Sequence, residues 1–173
     1  MGFLDPKIRF KPVRWAALCL ATGFGLGFSP VAPGTAGALL GCAVVWLFSS
    51  LGLSVPWQIA ACAALSVLCV PVASIAERDL GRGKDPGAVV CDEWMTFPIC
   101  MIGMTGLWQS RPWLMPACFV VNRLLDTVKP FPAYRLQILP GGLGIAIDDF
   151  VISVYALAVN WALFFAAERF LGL

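Results

Sequence analysis

Asp148-Asp149-Phe-Val-Ile-Ser-Val-Tyr155-Ala-Leu-Ala-Val-Asn160-Trp-Ala-Leu-Phe-Phe165 places two adjacent carboxylates at the head of an apolar run that continues to Leu171. From Phe150 onward that run has the roughly 20 residues a helix needs to cross the hydrocarbon core of a bilayer. Segments 36–53 and 56–76 have the same character, and 94–109 followed by 113–127 adds two shorter apolar stretches. The reading is an all-α polytopic membrane helix bundle with about four spanning helices. Trp94, Trp108 and Trp113 sit near the ends of the short stretches, where aromatic rings suit a membrane interface.

Composition agrees with a bilayer rather than a soluble core. The 173 residues are 60% hydrophobic and 13% charged, with a mean hydropathy of +0.84, whereas a soluble domain carries about 25% charge. Residues 1–15 read as an N-terminal arm on the cytoplasmic side and 16–173 as a single membrane-embedded domain. Ala16 to Phe28 is too short to span and carries Gly23, Gly25 and Gly27, so it is expected to form a short interfacial or re-entrant helix. No small-x-small site follows it, which argues against a cleaved signal peptide.

Lys and Arg set the orientation. With a cytoplasmic N-terminus, ten of the twelve (Lys7, Arg9, Lys11, Arg14, Arg78, Arg82, Lys84, Arg123, Lys129 and Arg135) fall on one side, leaving Arg111 and Arg169 on the other. By the positive-inside bias, loops 29–35, 77–93 and 128–149 face the cytoplasm, in a multi-pass membrane protein. A net charge of +2 without a basic, aromatic-rich run gives no footprint for nucleic acid. Seven cysteines, mostly inside apolar segments and without a Cys-x-x-Cys pair, predict no disulfide framework. Oligomeric state is not encoded in any of these patterns.

Scarce charge is gathered at three places: Asp92-Glu93, Arg123-Leu-Leu-Asp126-Thr-Val-Lys129, and Asp148-Asp149. Each acid pair could open a helix as a dipole-stabilised cap. One acid suffices for a cap, however, and two carboxylates ~4 Å apart repel by about 4 kcal/mol at an effective dielectric near 20. A divalent cation would offset that repulsion, and oxygen-only ligands in a chain without histidine favour magnesium (Mg2+) over zinc. Arg123 and Asp126 share a helix face, and the helix is expected to stop at Lys129 because Pro130 follows. A guanidinium there suits an acidic partner or a phosphate. Thr35, in Pro33-Gly34-Thr35-Ala-Gly37, is a candidate N-cap, and Gly141-Gly142-Leu-Gly144 reads as a turn before the last helix.

Absences narrow the chemistry further. Without histidine there is no imidazole base, and Cys118 and Arg123 lack the spacing of a cysteine phosphatase loop. Metal-activated water or a carboxylate nucleophile remains, with Arg and Lys holding phosphate.

These stretches together resemble the phosphatidylglycerophosphatase A family: Gly23-Phe-Gly25, Ser29-Pro30, Pro33-Gly-Thr-Ala-Gly37, Val90-Cys-Asp92-Glu93, Arg123 through Pro132, and Gly141 through Asp149, in order. The resemblance implies a magnesium-dependent phosphatase of the bacterial inner membrane, its active site facing the cytoplasm, that converts phosphatidylglycerophosphate to phosphatidylglycerol and inorganic phosphate. Asp92, Glu93, Asp126, Asp148 and Asp149 then match the family's acidic positions, with Asp92, Glu93, Asp148 and Asp149 as metal ligands. Thr35, Arg123 and Lys129 match its polar and basic ones, and Gly34, Gly37, Gly141 and Gly142 would admit the head group. Ala38 and Gln137 depart from the pattern, which often has Ser and an acid there. Competing readings are a lipid phosphotransferase, whose Asp-Gly signature is missing, and a non-enzymatic transporter, which would place ionisable groups near mid-membrane.

Overall fold

Apolar periodicity and Pro/Gly punctuation resolve, in a computed structural model describing residues 12–80 and 86–171, into seven α-helices among those residues. They are α1 (Pro12–Ala21), α2 (Pro33–Ser50), α3 (Val55–Leu80), α4 (Cys91–Thr96), α5 (Leu114–Val128), α6 (Ala133–Leu136) and α7 (Gly142–Leu171), with 3-10 turns at Leu26–Phe28 and Phe97–Met101. The expected roles of Lys7, Arg9, Lys11, Arg82 and Lys84, most of the N-terminal arm, and most of the Gly81 to Gly87 loop fall outside the described residues.

Three helices, α2, α3 and α7, are long and apolar enough to cross a membrane. At 1.5 Å per residue they measure about 27, 39 and 45 Å. The expected fourth span is corrected by the structure. Segment 94–109 is not a helix: α4 passes at once into the 3-10 turn, and residues 102–113 are mostly turns. Pro98 lacks an amide hydrogen, and Gly103 adopts a left-handed φ of 81°, so a continuous helix cannot be kept.

The segment nevertheless runs the length of the bundle. Glu93 lies beside Arg123 at one end, while Gln109 donates to Ser49 Oγ (3.0 Å) and Arg111 pairs with Glu168 at the other. Non-helical backbone is tolerated at this depth only when protein groups satisfy it. Here Asn160 Nδ2 donates to Cys100 O (3.0 Å), Trp161 Nε1 to Ile102 O (3.2 Å), and Gly103 N to Gln58 Oε1 (2.9 Å). Gln58 Nε2 completes the set through Thr105 Oγ1 at 2.8 Å. The returning α5 has 15 residues, about 22 Å, and packs on α7 and the 3-10 turn rather than spanning alone.

Short α1 enters alongside the C-terminal half of α3, with Arg14 paired to Asp79 and Ala21 buried against Cys69, Val72, Ala73 and Ala76. Left-handed Gly23 and Gly25 then turn the chain back, and Gly27 packs against the Ala88 carbonyl. The chain thus enters along α3 and doubles back after α1. Its return brings loop 29–33 to the end of the bundle that also holds residues 86–93 and 128–141, so the charge-bearing loops share one end as the alternation of spans requires.

Candidate functional site

Three helices, α4, α5 and α7, deliver charge to that end. Arg123, on the last turns of α5, donates through Nη2 to Glu93 Oε2 of α4 and lies 3.1 Å from Asp126 Oδ2. Asp126 also faces Lys129, 3.8 Å from its Nζ, so this acid bridges the two cations. Lys129 in turn donates to Asp148 Oδ2 of α7 at 2.8 Å. Helix α5 ends at Val128, before Pro130, and Lys129 turns the chain with a left-handed φ of 45°. That reversal aims its ammonium back between Asp126 and Asp148.

Asp149 is buried within electrostatic range of Glu93, Asp126 and Asp148. Asp92, also buried, shares with Asp149 the neighbourhood of Cys69 on α3. All five predicted acids and both predicted cations are thus brought to one cluster. Helix α3 continues for 11 residues beyond Cys69, about 16 Å, so the part of the cluster near Cys69 lies below the helix end.

Local helix geometry differs from the expected caps. Helix α7 starts at Gly142, which sets Asp148 and Asp149 nearly two turns inside it, and α4 starts at Cys91 with Val90 as an N-cap that forms no side-chain capping bond. Neither acid pair holds an N-cap position, although Asp92 and Glu93 lie in the first turn of α4. Thr35 is likewise not a cap: Ala32 holds that position and Thr35 lies in the first turn of α2. Hydropathy placed the start of α7 too late because Gly141 to Gly144 reads as a turn, whereas the lack of side chains there serves helix packing.

The glycines divide into two groups. A Cβ on Gly34 would strike Glu93 Oε1 and come within 3.5 Å of Arg123 Nη1, and one on Gly37 would lie 2.9 Å from Val90 Cβ. These glycines let α2 close over the Glu93–Arg123 pair. Gly142 instead faces α3: a Cβ there would fall 2.5 Å from Ser74 N, and its amide donates to Ser74 Oγ at 2.9 Å. Gly141 also lies towards Ser74 and Glu77. Gly142 thus permits a close contact with α3, while Gly141 turns the chain with a φ of 65°.

Electrostatics in the cluster are out of balance. Five carboxylates face two cations. Burial pushes the Glu93 carboxyl up to about 7, despite the opposing pull of Arg123. At Lys129 burial favours the neutral amine, but the hydrogen bond and charge of Asp148, with Asp126 and Asp149, outweigh it and raise the affinity for the proton. Among the described residues no three acidic or thiol groups already converge as ligands of one ion. Arg123 and Lys129 occupy carboxylate oxygens that a metal would otherwise share.

Two neighbours escaped the sequence reading. Gln137 Nε2 donates to Asp148 Oδ2 at 2.6 Å, and Cys69 Sγ lies 3.8 Å from Cys91 Sγ. A departure from the family pattern was the only signal for Gln137. The cysteines, 22 positions apart on different helices, gave none.

Residues 19–164 match the family model described as Phosphatidylglycerophosphatase A. The chain is 35% identical over 144 residues to phosphatidylglycerophosphatase A of Escherichia coli, covering 81% of this chain and 78% of that protein. It is 36% identical over 149 residues to the protein of the same name from Haemophilus influenzae, covering 83% and 86%. A Bacteroides thetaiotaomicron protein named "Putative phosphatidylinositol-3-phosphatase" is 36% identical over 150 residues, covering 84% and 92%. No solved structure gives a significant match.

Proposed function

The chain belongs to the phosphatidylglycerophosphatase A family, and we propose that it hydrolyses the terminal phosphate of phosphatidylglycerophosphate at the cytoplasmic leaflet of a bacterial inner membrane. One observation carries this reading: Arg123 and Lys129, held among five carboxylates, converge in a part-buried cluster at one end of an apolar bundle. Such a cluster suits a substrate with a phosphomonoester head and two acyl chains, because the tails can stay in lipid while the head meets the charges. The ten-to-two asymmetry of Lys and Arg supports a cytoplasmic opening.

Arg123 and Lys129 bind the phosphate oxygens. The buried Nε of Arg123 has no hydrogen-bond partner among the described residues, so a donor is in place for an incoming oxygen. Asp126 holds both cations in register across the site. Magnesium fits the donor chemistry: Asp92, Glu93, Asp148 and Asp149 offer hard oxygens, and the excess of buried negative charge favours a cation. When bound, it would supply Lewis-acid polarisation and charge compensation at the phosphoryl group. Burial of these side chains keeps competing water away from the contacts.

The test is phosphate release by the purified chain in detergent, offered phosphatidylglycerophosphate, phosphatidic acid or phosphatidylinositol 3-phosphate, with magnesium or with chelator. Preferred turnover of phosphatidylglycerophosphate, abolished by chelator, is expected. Preference for the inositol lipid would transfer the reading to the chemistry named for the Bacteroides relative, and chelator-resistant turnover would remove the metal.

A further inference from the structure

We infer that Gln137 is a positioning residue that fixes the orientation of the Asp148 carboxylate; the inference rests on the phosphatase reading above. Gln137 Nε2 and Lys129 Nζ donate to the same oxygen, Asp148 Oδ2, at 2.6 and 2.8 Å. Two donors from different parts of the chain meet on this one oxygen and restrain the carboxylate. An amide oriented the other way would set its oxygen against a carboxylate, so the donor role of Nε2 is settled by charge.

The backbone explains how a residue eleven positions away reaches Asp148. Turn bonds from Ala133 N to Pro130 O (2.8 Å) and Leu139 N to Leu136 O (3.1 Å) fold residues 130–139 back over the start of α7. Gly144 makes the approach possible: a Cβ there would lie 3.1 Å from Gln137 O and 3.0 Å from the Leu139 carbonyl carbon. Gly144 and Asp148 are four apart on one helix face. The turn that packs against Gly144 therefore delivers the Gln137 amide to the carboxylate one turn further on. Partners that orient a ligating carboxylate typically contribute about 10- to 100-fold in metal affinity or activity when removed.

Gln137→Met, which keeps the length and loses the donor, and Gln137→Ala, which leaves only the turn backbone, test this. Two readouts are required: steady-state phosphate release, and Mn2+ binding without substrate, followed by loss of the free-ion electron paramagnetic resonance signal. Both variants are expected to lower kcat by about 10-fold or more with little change in KM, and to weaken Mn2+ binding by about the same factor. Wild-type kcat and Mn2+ affinity in either folded variant would overturn the positioning role. A rise in KM alone would overturn it too, since that marks a direct lipid contact. Wild-type protein that neither binds Mn2+ nor releases phosphate would instead defeat the underlying reading.

Discussion

Replacing Arg123 separates what this side chain does for the fold from what it does for phosphate. Its guanidinium donates to Glu93 and lies 3.1 Å from Asp126, with all three side chains largely out of water. A unit-charge pair at that second distance attracts by about 5 kcal/mol at an effective dielectric near 20. Desolvation of the guanidinium offsets much of this, and the measured cost of leaving buried partners without their cation is about 3–5 kcal/mol. Arg123→Met is therefore expected to lower the unfolding temperature markedly, because Glu93 and Asp126 are left facing each other. Arg123→Lys keeps the charge and loses the fork, so its stability should fall by no more than about 1–2 kcal/mol. In turnover the two should differ less. Each removes the guanidinium fork that meets the phosphate, and loss of a preorganised charge donor costs about 10²–10³ in kcat. Phosphate release and thermal unfolding, measured on the same detergent preparation, give both numbers. An Arg123→Met protein that unfolds like the parent and keeps its turnover would refute the pairing and the catalytic role together.

Asp92→Asn and Asp149→Asn should each lower kcat by about 10²–10³ while leaving the metal-free protein equally or more heat-stable, since each removes a buried like charge; loss of stability with intact turnover would contradict this. Gly142→Ala is expected to cost about 1–3 kcal/mol, because the new Cβ would press on the backbone of α3 at Ser74; an unshifted unfolding midpoint would show that the α3–α7 contact is looser than described. Magnesium should raise the unfolding temperature more at pH 8 than at pH 5.5. Glu93, pushed up to about 7 by burial, carries its proton at the lower pH and is ionised and open to a cation at the higher one. Equal stabilisation at both values would remove Glu93 from the ligand set.

Long apolar runs and Pro/Gly breaks made α2, α3 and α7 legible, and the Lys129-Pro130 step marked the end of α5. Charge scarcity made the site legible as well, since ionised groups in an apolar chain must find partners or work. What hydropathy could not distinguish was a buried helix from buried turns. The 94–109 stretch reads as a span, yet its backbone is satisfied by Gln58, Asn160 and Trp161 from sequentially distant helices. Glycine was ambiguous in the same way: Gly142 and Gly144 look like a loop in one dimension and act as packing contacts in three. The Gln137–Asp148 bond depends on a turn closing over α7, which no local pattern announces.

The left-handed backbone at Lys129 sets conformational strain against ion pairing at a single residue. A side chain other than glycine or asparagine held there carries about 1–3 kcal/mol of conformational strain. Glycine would relax the bend but withdraw the ammonium that joins α5 to Asp148, and leaving a buried carboxylate without its cation costs about 3–5 kcal/mol. The awkward posture is therefore stable only because of the charge it carries, and any neutral residue there should loosen the hold of α5 on α7.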